Sequence, residues 1–348
     1  MFRTLRPGRP NRTLAAAAAV AGLLLTAAAC GSDSKDDKDA KATPAASSSA
    51  SASASSASTA AFPVTVKDSQ GSVTIKAEPK RVVALSSVDL DASLAAGVVP
   101  VLATKNFFSP DGTYPWLKDK MTGDTKLVAV TAALPFEEIA ALKPDLILDT
   151  GDYTAKDNYA KLSKIAPTLA PITSAATDSW QDRQKLVGQA LGRVTESDAS
   201  IKQSQDAVTA VKAKYPGLAG KTFSVTYTAA ADQIVTLSSP NDFAVGFLES
   251  LGLKQAPKLT ALAKNSRGVG TVSQEKLDVL SADLMIGAYQ TPDLEKQIGK
   301  SPLMTAAAKG HTLQEVDLTT ITLLRNPSTL GLPWVLDQLD PAFAKVAG

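Results

Sequence analysis

Side chains able to do bond-making chemistry are scarce in this sequence. Among its 348 residues there is one histidine, His311, and one cysteine, Cys30. Metal centres need several imidazole, thiolate or carboxylate groups converging on one ion, and hydrolytic triads need a histidine between a nucleophile and an orienting group. His311 follows Gly310, where it reads as a surface residue or a helix C-terminal cap. No G-x-S-x-G elbow occurs. The string Gly217-Leu218-Ala219-Gly220-Lys221-Thr222 has the tail of a phosphate loop, but Tyr215 stands where the first glycine belongs. Lys221-Thr222 also enters a strand pattern, so phosphates would meet no helix N-terminus. That string reads as a turn, and an enzyme is disfavoured.

What remains suits binding. Two segments share one spacing: Glu137-x-Ile139-x-x-Leu142-x-x-Asp145-Leu146-Ile147-Leu148 and Glu275-x-Leu277-x-x-Leu280-x-x-Asp283-Leu284-Met285-Ile286. A tyrosine follows each, Tyr153 and Tyr289, and Tyr227 closes an earlier strand pattern. Beyond the N-terminal leader the arginines are Arg81, Arg183, Arg193, Arg267 and Arg325. Arg325, ahead of Asn326-Pro327 in an irregular stretch, is the favoured ligand contact. Trp116 and Phe107, with Phe108 and Tyr114, offer an apolar wall. Tyrosine and arginine supply hydrogen-bond donors and aromatic surface to a bulky ligand. Each glutamate also has a plain reading, because an acid in a first helical turn gains about 0.3–1 kcal/mol from the helix dipole.

Elements must hold these groups, and the chain divides before they begin. Residues 1–29 read as a signal peptide: Arg3, Arg6, Arg9 and Arg12, an apolar run from Leu14 to Ala29, then Cys30. That run is shorter than the roughly 20 apolar residues of a spanning helix. Leu25-Thr26-Ala27-Ala28-Ala29-Cys30-Gly31 resembles a bacterial lipobox, in which the cysteine is diacylated and becomes the new N-terminus. Cleavage after Ala29 that leaves a free thiol is the alternative, since one cysteine forms no internal disulfide. Residues 30–61, rich in Ser and Ala, bury too little surface to order and read as a tether. The chain has 36 basic and 34 acidic side chains. Removing the four leader arginines leaves the body near neutral, without the basic face nucleic acid requires.

From Phe62 onward strand-like runs alternate with helix-like runs, which predicts an α/β fold with parallel sheets. The repeated segment is in each copy a short amphipathic helix followed by a buried strand, so the architecture is duplicated. Between the copies, Trp180 to Tyr215 is helical in pattern, with Thr195 and Asp198 as a capping signal. We expect an N-terminal lobe at 62–177, a connecting helical region at 178–216 and a C-terminal lobe at 217–348. Ligands of open α/β sheets bind beyond the strands' carboxyl ends, here a cleft between two lobes. The loops expected to line it are Ser86 and Ser87, Asn106 to Trp116, Tyr153, the region after Tyr227, Tyr289 and the stretch around Arg325.

The runs Pro79-Lys80-Arg81-Val82-Val83, Leu142-Lys143-Pro144-Asp145-Leu146-Ile147, Lys161-Leu162-Ser163-Lys164-Ile165-Ala166-Pro167, Ser273-Gln274-Glu275 and Ser301-Pro302-Leu303 resemble, in that order, the iron-siderophore and vitamin B12 class of periplasmic-binding-protein-like ABC transporter components. The resemblance spans nearly all of 63–345. It implies two Rossmann-like lobes bridged by one long helix, limited closure, and a glutamate on each lobe, Glu137 and Glu275, that docks on arginines of the permease. It implies a monomeric extracytoplasmic lipoprotein, held to the cell membrane through Cys30, that carries a ferric siderophore to a permease and its ATPase and has no cofactor of its own. Few arginines favour a near-neutral hydroxamate complex over an anionic catecholate. Cobalamin or haem is the alternative ligand, and a non-transport surface lipoprotein or an enzyme the alternative class.

Overall fold

The computed structural model describes residues 61–130, 133–262 and 269–348. The leader, Cys30, nearly all of the tether and Arg267 lie outside the described residues.

The first lobe opens with an antiparallel hairpin, β1 (Val64–Asp68) and β2 (Gly71–Ile75). Its main sheet is built from β3 (Val82–Ala84), β4 (Leu102–Thr104), β5 (Lys126–Val128), β6 (Leu146–Leu148) and β7 (Thr168–Leu169), in the order β5-β4-β3-β6-β7, all parallel. Helices α1 (Ser87–Ala95), α2 (Phe136–Ala141) and α3 (Ala155–Leu162) connect them. Every residue of β3, β4 and β6 is buried, as expected of strands covered on both faces.

Two helices follow, α4 (Trp180–Leu191) and α5 (Val194–Lys214). Gly192 separates them in the left-handed region, φ 69°, which its lack of a Cβ allows. The expected cap at Thr195 and Asp198 is corrected. Arg193 is the N-cap of α5 and makes no side-chain cap bond, so Thr195 already lies inside the helix. At about 1.5 Å per residue, the 21 residues of α5 extend over roughly 31 Å.

The second lobe contains β8 (Thr222–Ala230), β9 (Gln233–Leu237), β10 (Lys254–Gln255), β11 (Val269–Val272), β12 (Leu284–Tyr289) and β13 (Thr312–Glu315). Around them lie α6 (Phe243–Ser250), α7 (Pro257–Thr260), α8 (Pro292–Leu294), α9 (Pro302–Ala307), α10 (Leu318–Arg325) and α11 (Gly331–Ala347). The sheet order is β11-β9-β8-β12-β13, with β10 beside the start of β8. This sheet is mixed rather than parallel throughout: β9 runs antiparallel to both β8 and β11. Only Ala231 and Asp232 join β8 to β9, and a parallel crossover needs about a dozen residues or more.

The repeated segment folds alike in both lobes. Ile139 and Leu277 are buried, and the strand after each lies beside its lobe's first main strand, β6 on β3 and β12 on β8. The shared aspartate ties that pairing. Asp145 accepts the backbone N–H groups of Lys80 (2.7 Å) and Arg81 (2.9 Å). Asp283 accepts the N–H (2.7 Å) and hydroxyl (2.8 Å) of Thr222. These bonds hold the Asp283 carboxyl below the usual carboxylate range, led by the Thr222 N–H. A depressed acid stabilises the fold above its unfolded pKa, and that stability is lost as pH falls through the folded value. Asp283→Asn is therefore expected to lose about 0.5–1 kcal/mol at pH 7, a modest figure because the group is largely solvated. In denaturant titrations the gap to wild type closes as pH falls below about 4; a gap constant with pH would contradict this role.

Candidate functional site

The lobes meet at one buried carboxylate. Asp91 of α1 is 0% exposed and accepts four hydrogen bonds. Its Oδ2 takes the Trp116 indole N–H (2.8 Å), the Ser328 hydroxyl (2.6 Å) and the Gly331 N–H (3.1 Å), while Oδ1 takes the Leu330 N–H (2.9 Å). Trp116 belongs to the first lobe, whereas Ser328 to Gly331 lead into α11. Burial pushes the Asp91 carboxyl up, and the four donors draw it back. Beside it, Gln184 of α4 donates to the Ala92 carbonyl (3.1 Å) and accepts from the Thr329 hydroxyl (2.9 Å). Asn106 donates to Thr319 across the junction (3.1 Å), and the rings of Trp116 and Trp334 lie 5.3 Å apart.

A pocket of about 160 Å³ opens at this junction. The first lobe contributes Ser87, at the start of α1, Asn106, Phe107, Phe108 and Tyr114 from the loop after β4, and Trp116 from the 3₁₀ segment Pro115–Lys120 that follows. The second contributes Thr319, Thr322 and Leu323 of α10, then Asn326 and Ser328. None of these side chains carries a charge. Phe107 and Phe108 are 53% and 48% exposed, and the Lys105 ammonium lies 5.9 Å from the Phe107 ring centroid.

Of the aromatic residues and the arginine singled out from the sequence as ligand contacts, Phe107, Phe108, Tyr114 and Trp116 line this pocket, and Tyr153, Tyr227, Tyr289 and Arg325 do not. Tyr153 is 67% exposed on the loop after β6. Tyr227 of β8 donates its hydroxyl to Gln290. Tyr289 is not the equivalent of Tyr153, because Gly151 occupies the matching position and β12 runs on through Tyr289. Strand alternation turns Leu284, Ile286 and Ala288 toward the α10–α11 core, but Met285 and Tyr289 toward the opposite cluster with Ile298 and Met304. The Tyr289 hydroxyl is buried there without a partner, and burial pushes it up to about 12. Arg325 is corrected as well: it ends α10 rather than lying in an irregular stretch, with Nε 3.7 Å from Asp242. Arg81 donates to the Leu142 carbonyl and Arg193 pairs with Glu78, so both serve structure. His311 is exposed. Sequence reasoning missed Asp91, Thr319, Thr322 and Ser328.

Glu137 and Glu275 are both exposed, near the starts of α2 and of the 3₁₀ segment Gln274–Leu280. Neither makes an ion pair among the described residues, whereas the neighbouring Glu138 binds Lys126 (2.7 Å).

Under the strand tips of the first lobe, Ser86 caps α1, and Asp89 accepts from Ser86 and from the Thr150 N–H (3.0 Å). Asp149, next along from Leu148, is 0% exposed with neither oxygen bonded. Burial, then the charges of Asp89 and Asp152, push its carboxyl up to about 9, so it holds its proton at neutral pH.

A family model described as "Periplasmic binding protein" matches residues 82–313. The "Probable siderophore-binding lipoprotein YfiY" of Bacillus subtilis is 30% identical over 298 residues, 81% of this chain and 88% of that protein. A periplasmic solute binding protein from Mycobacterium smegmatis superposes with a TM-score of 0.71 at 31% identity, covering 82% of this chain and 99% of its own. SirA of Staphylococcus aureus, solved in complex with staphyloferrin B, does so at 0.67 with 28% identity, covering 80% and 98%.

Two substitutions test this geometry. Asp91→Ala strands four donors at the junction and is expected to cost about 3 kcal/mol in denaturant unfolding, with tryptophan emission shifted to the red. A loss under about 1 kcal/mol would show that the clasp is dispensable. For Asp149 the native pKa is raised, so its contribution is greatest below the unfolded pKa and declines as pH rises toward about 9. Asp149→Asn, free of that penalty, should stabilise the protein relative to wild type by a margin that widens from pH 5 to pH 9. A margin that shrinks over that range would contradict a buried, protonated Asp149.

Proposed function

The chain belongs to the periplasmic binding protein family, and from that premise we propose that it captures a ferric siderophore, with hydroxamate complexes favoured, and delivers it to an ABC permease and its ATPase. It is a binding protein and not an enzyme. The observation that carries the ligand class is the neutral lining of the pocket at the Asp91 junction. A siderophore already fills the coordination sphere of its iron, so the protein need only offer aromatic surface and hydrogen bonds. A trianionic catecholate complex would meet no charged side chain in the pocket lining, and the Lys105 ammonium beside Phe107 would offset only part of its charge, whereas a ferric trihydroxamate is neutral.

The pocket is smaller than the roughly 300–1,000 Å³ of sites that enclose a small molecule. The bound complex accordingly sits at its mouth, over Phe107 and Phe108, with part of its surface outside. Tyr153, Tyr227 and Arg325 are proposed as outer contacts. Tyr289, turned to the far face of its sheet, is not among the residues lining the pocket.

Glu137 and Glu275 are proposed to dock on the permease, one from each lobe. An exposed glutamate without an ion pair is free to bind a partner arginine, and their matched places in duplicated segments would offer one such contact per lobe. At Cys30, lipidation is proposed on the lipobox-like sequence, with residues 30–61 as the tether, the protein acting as a monomer on the outer face of the cell membrane. The Bacillus relative is itself named a lipoprotein.

Titration of the purified protein should show saturable quenching of tryptophan fluorescence by ferric trihydroxamates and not by ferric catecholates, haem, cobalamin or free metal ions. Quenching by one of those others alone would replace the ligand class. The double variant Glu137→Ala/Glu275→Ala is expected to abolish siderophore uptake by cells while keeping wild-type affinity; unimpaired uptake would end the docking claim.

A further inference from the structure

A cation stands at the mouth of the uncharged pocket. The loop after β4 closes on itself: the Asn106 N–H donates to the Gly112 carbonyl (2.7 Å), the Gly112 N–H to the Ser109 carbonyl (3.0 Å) and the Phe108 N–H to the Asn106 side-chain oxygen (3.0 Å). Phe107 and Phe108 stay exposed on it. Lys105 lies at the base of this loop, half-buried, and its ammonium is 5.9 Å from the centroid of the Phe107 ring.

The Lys105 stem is seated on bare backbone. Gly112 has a left-handed φ of 72°, and a Cβ there would lie 3.1 Å from Lys105 Cβ and 3.5 Å from its Cδ. Among the described residues the ammonium makes no ion pair. Asp111, the one acid of the loop, is already taken by Lys118 (3.0 Å) and by the Ser109 and Thr113 hydroxyls (2.7 Å each). A positive charge held over an aromatic ring that lines the pocket attracts an anionic group on a ligand resting there and repels a cationic one.

Resting on the capture reading above, we propose that Lys105 is a specificity-determining residue at the pocket mouth, selecting trihydroxamate complexes whose organic framework carries a carboxylate over those that carry an ammonium. The neutral iron–hydroxamate core rests on Phe107 and Phe108. The carboxylate, outside the coordination sphere of the iron, meets Lys105 at the rim. Framework charge, rather than the iron centre, then separates one hydroxamate complex from another.

Three probes with one iron–hydroxamate core isolate that charge: ferrioxamine B, which has a pendant ammonium, its N-acetyl derivative, which has none, and its N-succinyl derivative, which has a pendant carboxylate. Affinities are read by tryptophan fluorescence for wild type, Lys105→Gln and Lys105→Arg, with thermal unfolding confirming that each variant is folded. Wild type should prefer the succinyl to the acetyl complex, and the acetyl complex to ferrioxamine B, by about threefold at each step, as for an exposed ion pair. The steps should narrow when salt is raised from about 0.02 M to about 0.5 M, because the screening length falls below about 5 Å. Neutral ferrioxamine E, a macrocycle of the same units, should show no such salt dependence. Lys105→Gln should bring the three affinities within about twofold of one another, and Lys105→Arg should keep the wild-type order. Equal or reversed affinities in wild type, or a wild-type order that survives in Lys105→Gln, would overturn the role of Lys105 alone. Failure of wild type to bind any of the probes would overturn the hydroxamate reading and this inference with it.

Discussion

A carboxylate removed from water must gather donors or give up its charge. Asp91 gathers four, from an indole, a hydroxyl and two backbone N–H groups. What makes that clasp consequential is where the donors come from. Trp116 lines the pocket from the first lobe, and Leu330 and Gly331 begin the last helix of the second. Moving either lobe far from the other would strand a buried charge. Gln184 bonded to Thr329 and Asn106 bonded to Thr319 reinforce the same seam. Together with the long α5, they favour small adjustments at the cleft over wide hinge motion.

The clasp also shapes the pocket beside it. Trp116 and Ser328, two of its donors, are pocket residues, so their polar atoms are committed before a ligand arrives. The same commitment holds for Asn106 and Thr322. A pocket whose hydrogen bonds are largely satisfied internally presents mostly aromatic surface outward. That arrangement suits a ligand that brings its metal already wrapped.

Much of the architecture was legible because it repeats. The segments beginning at Glu137 and Glu275 carry a helical spacing and then a fully apolar run, and both copies fold to a short helix and a central buried strand. Their aspartates, Asp145 and Asp283, were visible in the repeat, though their task of tying neighbouring strands together was not. The β8–β9 hairpin was hidden, because Ala231-Asp232 contains neither glycine nor proline to announce a turn. The matching of Tyr153 with Tyr289 failed on spacing, because Gly151 falls where Tyr289 stands and Tyr289 is still within β12 while Tyr153 lies on a loop. Asp91 was illegible for a different reason. An acid within a helix reads as a solvated face, and its second-lobe donors lie more than 200 residues away in sequence. Asn106 to Trp116 do line the pocket, whereas the stretch around Arg325, read as a loop, is the end of α10, and the individual polar atoms depended on partners that only the fold brings together.

The clasp and the pocket beside it are tested most directly by residue-resolved hydrogen exchange, without and with ferrioxamine E. The backbone N–H groups of Leu330 and Gly331 should exchange slowly in both states, and the ligand should add protection in 106–117 and 319–328. Rapid exchange at Leu330 and Gly331 in the free protein, or ligand protection confined to other parts of the chain, would contradict the account.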